Sequence, residues 1–182
     1  GLVEGAHKGE GLGNQFLAHI REVATIAHVV RCFDDDNVVH VAGRVDPEAD
    51  IETIETELML ADIATLERRL ERLKRSSKGN PDDAQWVGPV TEVIQKLSDG
   101  VPARRLDVEL PPDVSLLTAK PVIYVCNVAE DDVVSGNEYV ERVRAVAAKE
   151  GADVVVISAR IEEELAQLEP EEAQAFLADM GL

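Results

Sequence analysis

The chain has 182 residues, 45% of them hydrophobic and only 3% aromatic, and its 36 acidic against 18 basic side chains give a formal net charge of -18. That size suits one ordinary domain with at most an insertion, and the apolar fraction is enough to bury a core, which argues against a disordered chain. So acidic a composition excludes coating nucleic acid with the whole surface. No uninterrupted apolar run approaches the roughly 20 residues that span a bilayer, so a cytoplasmic protein is expected.

Residues 1–13 carry five glycines and neither helical nor strand periodicity, and a mobile loop is expected there. From Asn14, Phe16, Leu17, Ile20 and Val23 recur at three- and four-residue spacing, which predicts an amphipathic helix with Asn14 as its N-cap. Residues 26–33 form a β-branched apolar run closed by Asp34-Asp35-Asp36-Asn37, a buried strand followed by a turn. Asp46-Pro47 then opens a helix. Its apolar seam runs through Ile51, Ile54, Leu58, Ala61, Ile63, Leu66, Leu70 and Leu73, about seven turns at 3.6 residues per turn. Residues 76–81 break it, and Trp86, Val90, Val93, Ile94 and Leu97 predict a returning helix that stops at Gly100 and Pro102. The pair is an antiparallel helical hairpin, with Trp86 packed inside it.

After Pro111-Pro112 the pattern alternates: a strand over 122–128, a helix over 138–149, a strand over 154–157, and helices over 161–168 and 171–180. Alternation of this kind predicts an α/β fold with a parallel sheet buried on both faces. The expected division is therefore an α/β part over 1–45 and 111–182, interrupted by a helical, coiled-coil-like insertion over 46–110. Cys32 and Cys126 sit in apolar runs without metal or disulfide spacing and are expected as buried small hydrophobes. His7, His19 and His28 share no metal-ligand spacing either.

Two strand ends carry chemistry: Asn127-Val128-Ala129-Glu130 and Ser158-Ala159. Ligands on parallel sheets bind at the carboxyl ends of strands, where both motifs fall. Alone, Asn127 and Glu130 would read as an Asx turn beside a solvated acid. Together with Ser158-Ala159 they favour recognition of a nucleotide base. P-loop GTPases place Asn-Lys-x-Asp at the first position, its Asp accepting two hydrogen bonds from guanine, and Ser-Ala at the second, with its backbone N–H toward the base. Here the acid is one methylene longer and Val128 stands where the Lys would be, so guanine is not assured and adenine is admitted.

The stretch GLVEGAHKGEGLGNQFLAHIREVATIAHVVRCFDDDNVVHVAGRVDP, with NVAE and SA, resembles the YchF family of Obg-related P-loop NTPases, and the resemblance extends over essentially the whole chain. It implies a parallel-sheet P-loop NTPase core with a helical hairpin inserted at this point. The core would be incomplete here, because the phosphate-binding pattern Gly-x-x-x-x-Gly-Lys-[Ser/Thr] occurs nowhere in the sequence. The family's small C-terminal TGS domain is also not found in these residues. The resemblance thus describes an internal segment of a longer nucleotide-dependent switch that hydrolyses ATP, or GTP, with Mg2+. The segment alone is expected to bind nucleotide negligibly.

In that family Gly1 would end an Asp-x-x-Gly motif at the magnesium and γ-phosphate. Residues 2–13, with Gly5, Gly9, Gly11 and Gly13, would be switch II; without the family they would read as a flexible linker. Leu2 occupies the position where Ras-like enzymes orient water with a Gln. The implied substitute is His40, whose imidazole can position or deprotonate water near neutral pH, although an ordinary loop histidine fits the residue equally well. No side chain of this segment is expected to hold the metal.

Arg68, Arg69, Arg72, Lys74, Arg75 and Lys78 place six cations in eleven residues at the hairpin tip. Positive charge at a helix C-terminus complements the dipole, so a solvated helix end accounts for part of it. Within so acidic a chain the local reversal also suits an anionic partner, and the resemblance implies the ribosome or RNA; Arg104 and Arg105 would extend the patch. Two other readings stand beside this one. The hairpin could be a non-catalytic interaction module on an α/β scaffold, or the sheet could be a flavodoxin-like regulatory domain in which NVAE and SA are coincidental.

Overall fold

A computed structural model describes residues 5, 8, 13–35 and 43–182, with side chains of the first helix described from Phe16 onward. In chain order the elements are α1 (Gly13–Glu22), β1 (Ile26–Arg31), α2 (Pro47–Ser76), α3 (Pro81–Ser98), β2 (Val122–Asn127), α4 (Glu138–Glu150), β3 (Asp153–Ile157), α5 (Ala159–Leu165) and α6 (Pro170–Asp179). They form two compact units, one of residues 1–26 and 52–121, the other of residues 27–51 and 122–182. The first is helical and takes in α1 as well as the hairpin.

In the helical unit the seam read from the sequence is the core. Met59, Leu66 and Leu73 of α2 stand seven residues apart and are buried against Val90, Val93 and Leu97 of α3, with Trp86 packed alongside. Each buried leucine is worth about 1.5–3 kcal/mol relative to an exposed one. The turn between the helices is set by Asn80, whose side chain accepts from the Asp82 N–H at 3.1 Å, and by Pro81 in the first turn of α3. A second cluster joins α1 to the root of α2 through Leu17, Leu58, Ala61 and Leu117.

Two buried carboxylates of α2 organise the rest. Asp62 is fully buried and accepts from Leu117 N (2.8 Å), Thr118 N (2.8 Å) and Thr118 Oγ1 (2.7 Å). Thr118 Oγ1 in turn accepts from Ala103 N at 3.1 Å, which ties the two irregular segments after α3 to one point on α2. Glu57, 3% exposed, accepts from the Gly5 N–H at 2.7 Å.

The sheet unit has strand order β1-β2-β3. β2 and β3 are parallel, with Ile123 opposite Asp153 and Asn127 opposite Ile157. The bonds Ile26 N to Pro121 O and Cys32 N to Asn127 O keep one sequence offset at both ends, as parallel strands do. α4 packs on β2 and β3 through Val140, Val143 and Ala147 and ends at Gly151, whose φ of +64° suits the left-handed C-cap. Burial on both sheet faces does not hold. Val122, Tyr124 and Cys126 are buried and their neighbours half-buried, while Val29 and Val155 are 61% and 47% exposed. Apolar strand composition marks a sheet that can be covered twice, whereas α4 covers one face.

Candidate functional site

The two strand-end motifs meet. Asn127 ends β2, and its Oδ1 accepts from the Ala159 N–H at 2.8 Å, while Val128 N donates to Ile157 O at 2.9 Å. These two bonds stitch the exit of β2 to the exit of β3. Ser158 is buried as the N-cap of α5, its hydroxyl accepting from the Ile161 N–H at 3.5 Å, and Ala159 is exposed at the first turn. A serine cap at a strand-to-helix junction turns the backbone N–H groups toward the sheet edge, where they can meet an acceptor.

Val128 is 3% exposed and packs inward, so its side chain is not available along a ligand as a lysine stem would be. Glu130 opens a 3₁₀ turn, and its Oε1 lies 2.6 Å from Arg160 Nε in an ion pair. That oxygen is covered, and the pair lacks hydrogen-bond alignment. The carboxylate is held beside the Asn127–Ala159 junction, and its Oε1 is not committed to a directional bond. Arg160 is the residue that sequence reasoning missed. The signal was a cation in the first turn of a helix, where the dipole disfavours it and another interaction must retain it.

α4 begins immediately beyond this turn and binds back to β1. Asn137 caps α4 by accepting from Val140 N (3.0 Å) and donates to Cys32 O (2.7 Å) and Asp132 Oδ2 (2.8 Å). Tyr139 donates its hydroxyl toward both oxygens of Asp34, an interaction that raises the phenol above its ordinary range. Arg142 holds Asp46 at 2.9 Å and Glu48 at 2.7 Å. An open cleft of about 500 Å³ lies here, lined among others by Phe33, Asp34, Asp132, Asn137 and Tyr139.

Beneath the site, Cys32 and Cys126 are free and fully buried, and Cys32 is pushed up by its hydrogen bond with Cys126 and by burial, so it stays a thiol. His28 is pulled down to about 4 by desolvation, against the raising influence of Asp50, and is neutral at pH 7. Its ring lies 5.8 Å from that of Tyr124, a packing role.

Of the switch residues read from the sequence, Gly5 is described at φ +85°, a left-handed backbone that favours glycine, and Gly13 opens α1. Gly1, Leu2, Gly9, Gly11 and His40 lie outside the described residues. At the tip, Arg69 is paired with Asp113 at 3.1 Å, Arg75 approaches Glu71 at 3.8 Å, and Arg68 donates to Ala64 O at 3.1 Å. Arg72, Lys74 and Lys78 are exposed and make no ion pair among the described residues. Arg104 does not extend the patch: it is 12% exposed and bonded to both oxygens of Glu55 at 2.9 Å. Among the described residues no three His, Cys, Asp or Glu side chains could hold a metal, and no helix is long and apolar enough to cross a membrane.

This parallel sheet with helices beside it matches the P-loop NTPase fold of a solved YchF structure. No protein-family model matches the chain. It is 48% identical to the ribosome-binding ATPase YchF of Bacillus subtilis over an alignment of 193 residues, and 47% identical to that of Haemophilus influenzae over 188. Each alignment covers all of this chain and 52% of the relative. The structure of the Schizosaccharomyces pombe YchF GTPase superposes with a TM-score of 0.77 at 31% identity, covering 94% of this chain and 49% of that one. The chain belongs to the YchF family of Obg-like P-loop NTPases and spans about half the length of the curated relatives it matches.

Proposed function

We propose that the full-length protein is a cytoplasmic, nucleotide-dependent switch that binds and hydrolyses ATP, or GTP, with Mg2+ and contacts the ribosome or RNA. The observation that carries this reading is the 2.8 Å bond from Ala159 N to Asn127 Oδ1, which joins the two base-recognition motifs into one edge. Asn127 orients that edge by holding the Ala159 N–H, and the exposed start of α5 faces the position of the base. Glu130, paired with Arg160, accepts from an exocyclic amine. Adenine carries one such amine, which an acid without a fixed bidentate geometry can serve.

The residues present fit the base end of a nucleotide. Bound Mg2+ would supply charge neutralisation at the β/γ-phosphates. It would sit at the Gly1 end of switch II, with no ligand from the described side chains. His40 is assigned the positioning of the attacking water because Leu2 cannot hydrogen-bond to it. The basic hairpin tip is assigned to the anionic partner.

The reading is tested with the full-length protein. Asn127→Ala removes the strand-end bridge and should weaken ATP binding by about 10- to 100-fold, which titration calorimetry measures; unchanged affinity rejects the base site. For His40, single-turnover hydrolysis of bound ATP by His40→Ala should slow by about 100-fold, and a wild-type rate removes it from the mechanism.

A further inference from the structure

Glu57, like Asp62, differs from the exposed acids of α2. Glu52, Glu67 and Glu71 are solvent-exposed, whereas Glu57 is 3% exposed and holds the backbone of a residue 52 positions earlier in the chain. A carboxylate withdrawn from water is costly unless it is hydrogen-bonded, and here one of its bonds is spent on Gly5 N at 2.7 Å, charge-assisted and short. Gly5 itself has φ +85° and accepts from Lys8 N at 2.9 Å, so it forms a turn held from α2.

The same stretch of α2 carries α1. Leu58 and Ala61 are buried with Leu17, Ile20 packs against them, and Arg21 donates to Thr65 Oγ1 at 3.4 Å. Lys120 donates to the carbonyls of Arg21 and Val23, fixing the C-terminal end of α1. One compact unit therefore contains the Gly5 turn, α1, α2 and the basic tip. The segment assigned to sensing the γ-phosphate is grouped with the helical insertion.

We propose that Glu57 is a positioning residue that couples the nucleotide-sensing segment to the helical insertion, making the basic tip the read-out of nucleotide state. This rests on the reading of residues 1–13 as switch II. A displacement of the Gly5 turn must either break the bond to Glu57 or move α2 with it. α2 is one continuous helix from Pro47 to Ser76, so a shift at Glu57 is transmitted along its length to Arg72 and Lys74. By reciprocity, a partner bound at the tip biases the position of Gly5.

The test compares Glu57→Gln and Glu57→Leu in the full-length protein. Gln retains an oxygen that accepts from Gly5 N, whereas Leu preserves helix propensity and apolar packing but cannot accept. Glu57→Leu should lower kcat for ATP by about 10-fold or more while KM stays within about twofold, and Glu57→Gln should stay within about threefold of wild type. Hydrogen exchange over residues 68–78 should differ between ATP-analogue and ADP states in the wild type and Glu57→Gln, and lose that difference in Glu57→Leu.

Wild-type turnover in Glu57→Leu, an equal loss in both variants, or a persisting nucleotide-dependent difference in Glu57→Leu would overturn the proposal. Exchange at the Gly5 amide without nucleotide separates this from the functional reading. If the wild type does not hydrolyse ATP, that reading falls, yet faster Gly5 exchange in Glu57→Leu still supports the hold, and unchanged exchange rejects it.

Discussion

The two units bury polar groups in opposite ways. In the helical unit the buried acceptors are carboxylates on the long helix α2, reaching irregular segments more than 50 residues away in sequence: Glu57 to Gly5, Asp62 to Leu117 and Thr118. In the sheet unit the holding groups are the half-buried amides of Asn127 and Asn137 and the buried hydroxyl of Ser158, all at element ends. A carboxylate is acceptor-only and can gather several donors, which suits a rigid helix that must capture loop N–H groups. An Asn both donates and accepts, so it can cap a helix and bind a neighbouring strand at once. Irregular chain is thus held from a distance in one unit, and junctions are held locally in the other.

Removing Asp62 attacks the first strategy at its strongest point. Asp62→Ala strands two buried N–H groups and should lower the local opening free energy of residues 117–118 by about 3 kcal/mol or more, read by native-state hydrogen exchange. An effect below about 1 kcal/mol would mean that water reaches those amides and the carboxylate is not holding them. Burial pushes the Asp62 carboxyl above its ordinary value of 3.8, against the lowering pull of Thr118 and Leu117. The folded chain therefore keeps this proton more tightly than the unfolded chain. The stabilisation linked to that proton is complete below 3.8 and is lost as pH rises through the raised value. The gap between wild type and Asp62→Ala should narrow across that rise, and a gap that widens with pH would contradict the shift.

The local strategy spreads its cost, so a smaller effect is expected from Asn137→Ala. It removes the cap of α4 and the bonds to Cys32 O and Asp132, and should destabilise the start of α4 by about 1–2 kcal/mol. Hydrogen exchange at Val140 and Glu141 measures this. If Asn137→Asp, which keeps the cap but loses the donor, is as stable as wild type, the bond to Cys32 O contributes nothing.

These differences also explain what the sequence disclosed. Leu66 and Leu73 of the seam and the returning Val90, Val93 and Leu97 were legible because helical periodicity survives any tertiary context, whereas Met59, also in that core, lies outside the seam read from the sequence. The strand exits at Asn127 and Ser158 were legible as the ends of apolar runs, but what either carries was not, since each motif alone reads equally as an ordinary turn. Glu57 and Asp62 were not legible: on a helix rich in acids, a buried carboxylate looks like a solvated one until its distant partners arrive. Arg104 misled for the same reason, since Glu55 lies 49 residues away. The grouping of α1 with the insertion follows from packing of Leu17 on Leu58, which spacing alone does not encode.

The smallest effect on stability belongs to the tip, and it can be turned into the cleanest test of partner contact. Arg69 is tied to Asp113, so reversing it mixes structure with recognition. Arg72, Lys74 and Lys78 are exposed and have no ion pair among the described residues, so reversing all three to Glu should change stability by about 1 kcal/mol, mostly through the helix dipole. An anionic partner held by those charges should nevertheless be lost, because each neutralised phosphate contact contributes through counterion release and reversal adds repulsion. Co-sedimentation of the full-length protein with ribosomes should fall sharply in the triple variant and weaken with added salt in the wild type. Unchanged pelleting would reassign the tip to a solvated helix end. A drop insensitive to salt would mean that the contact is made by the apolar flank of the hairpin instead of by its charges.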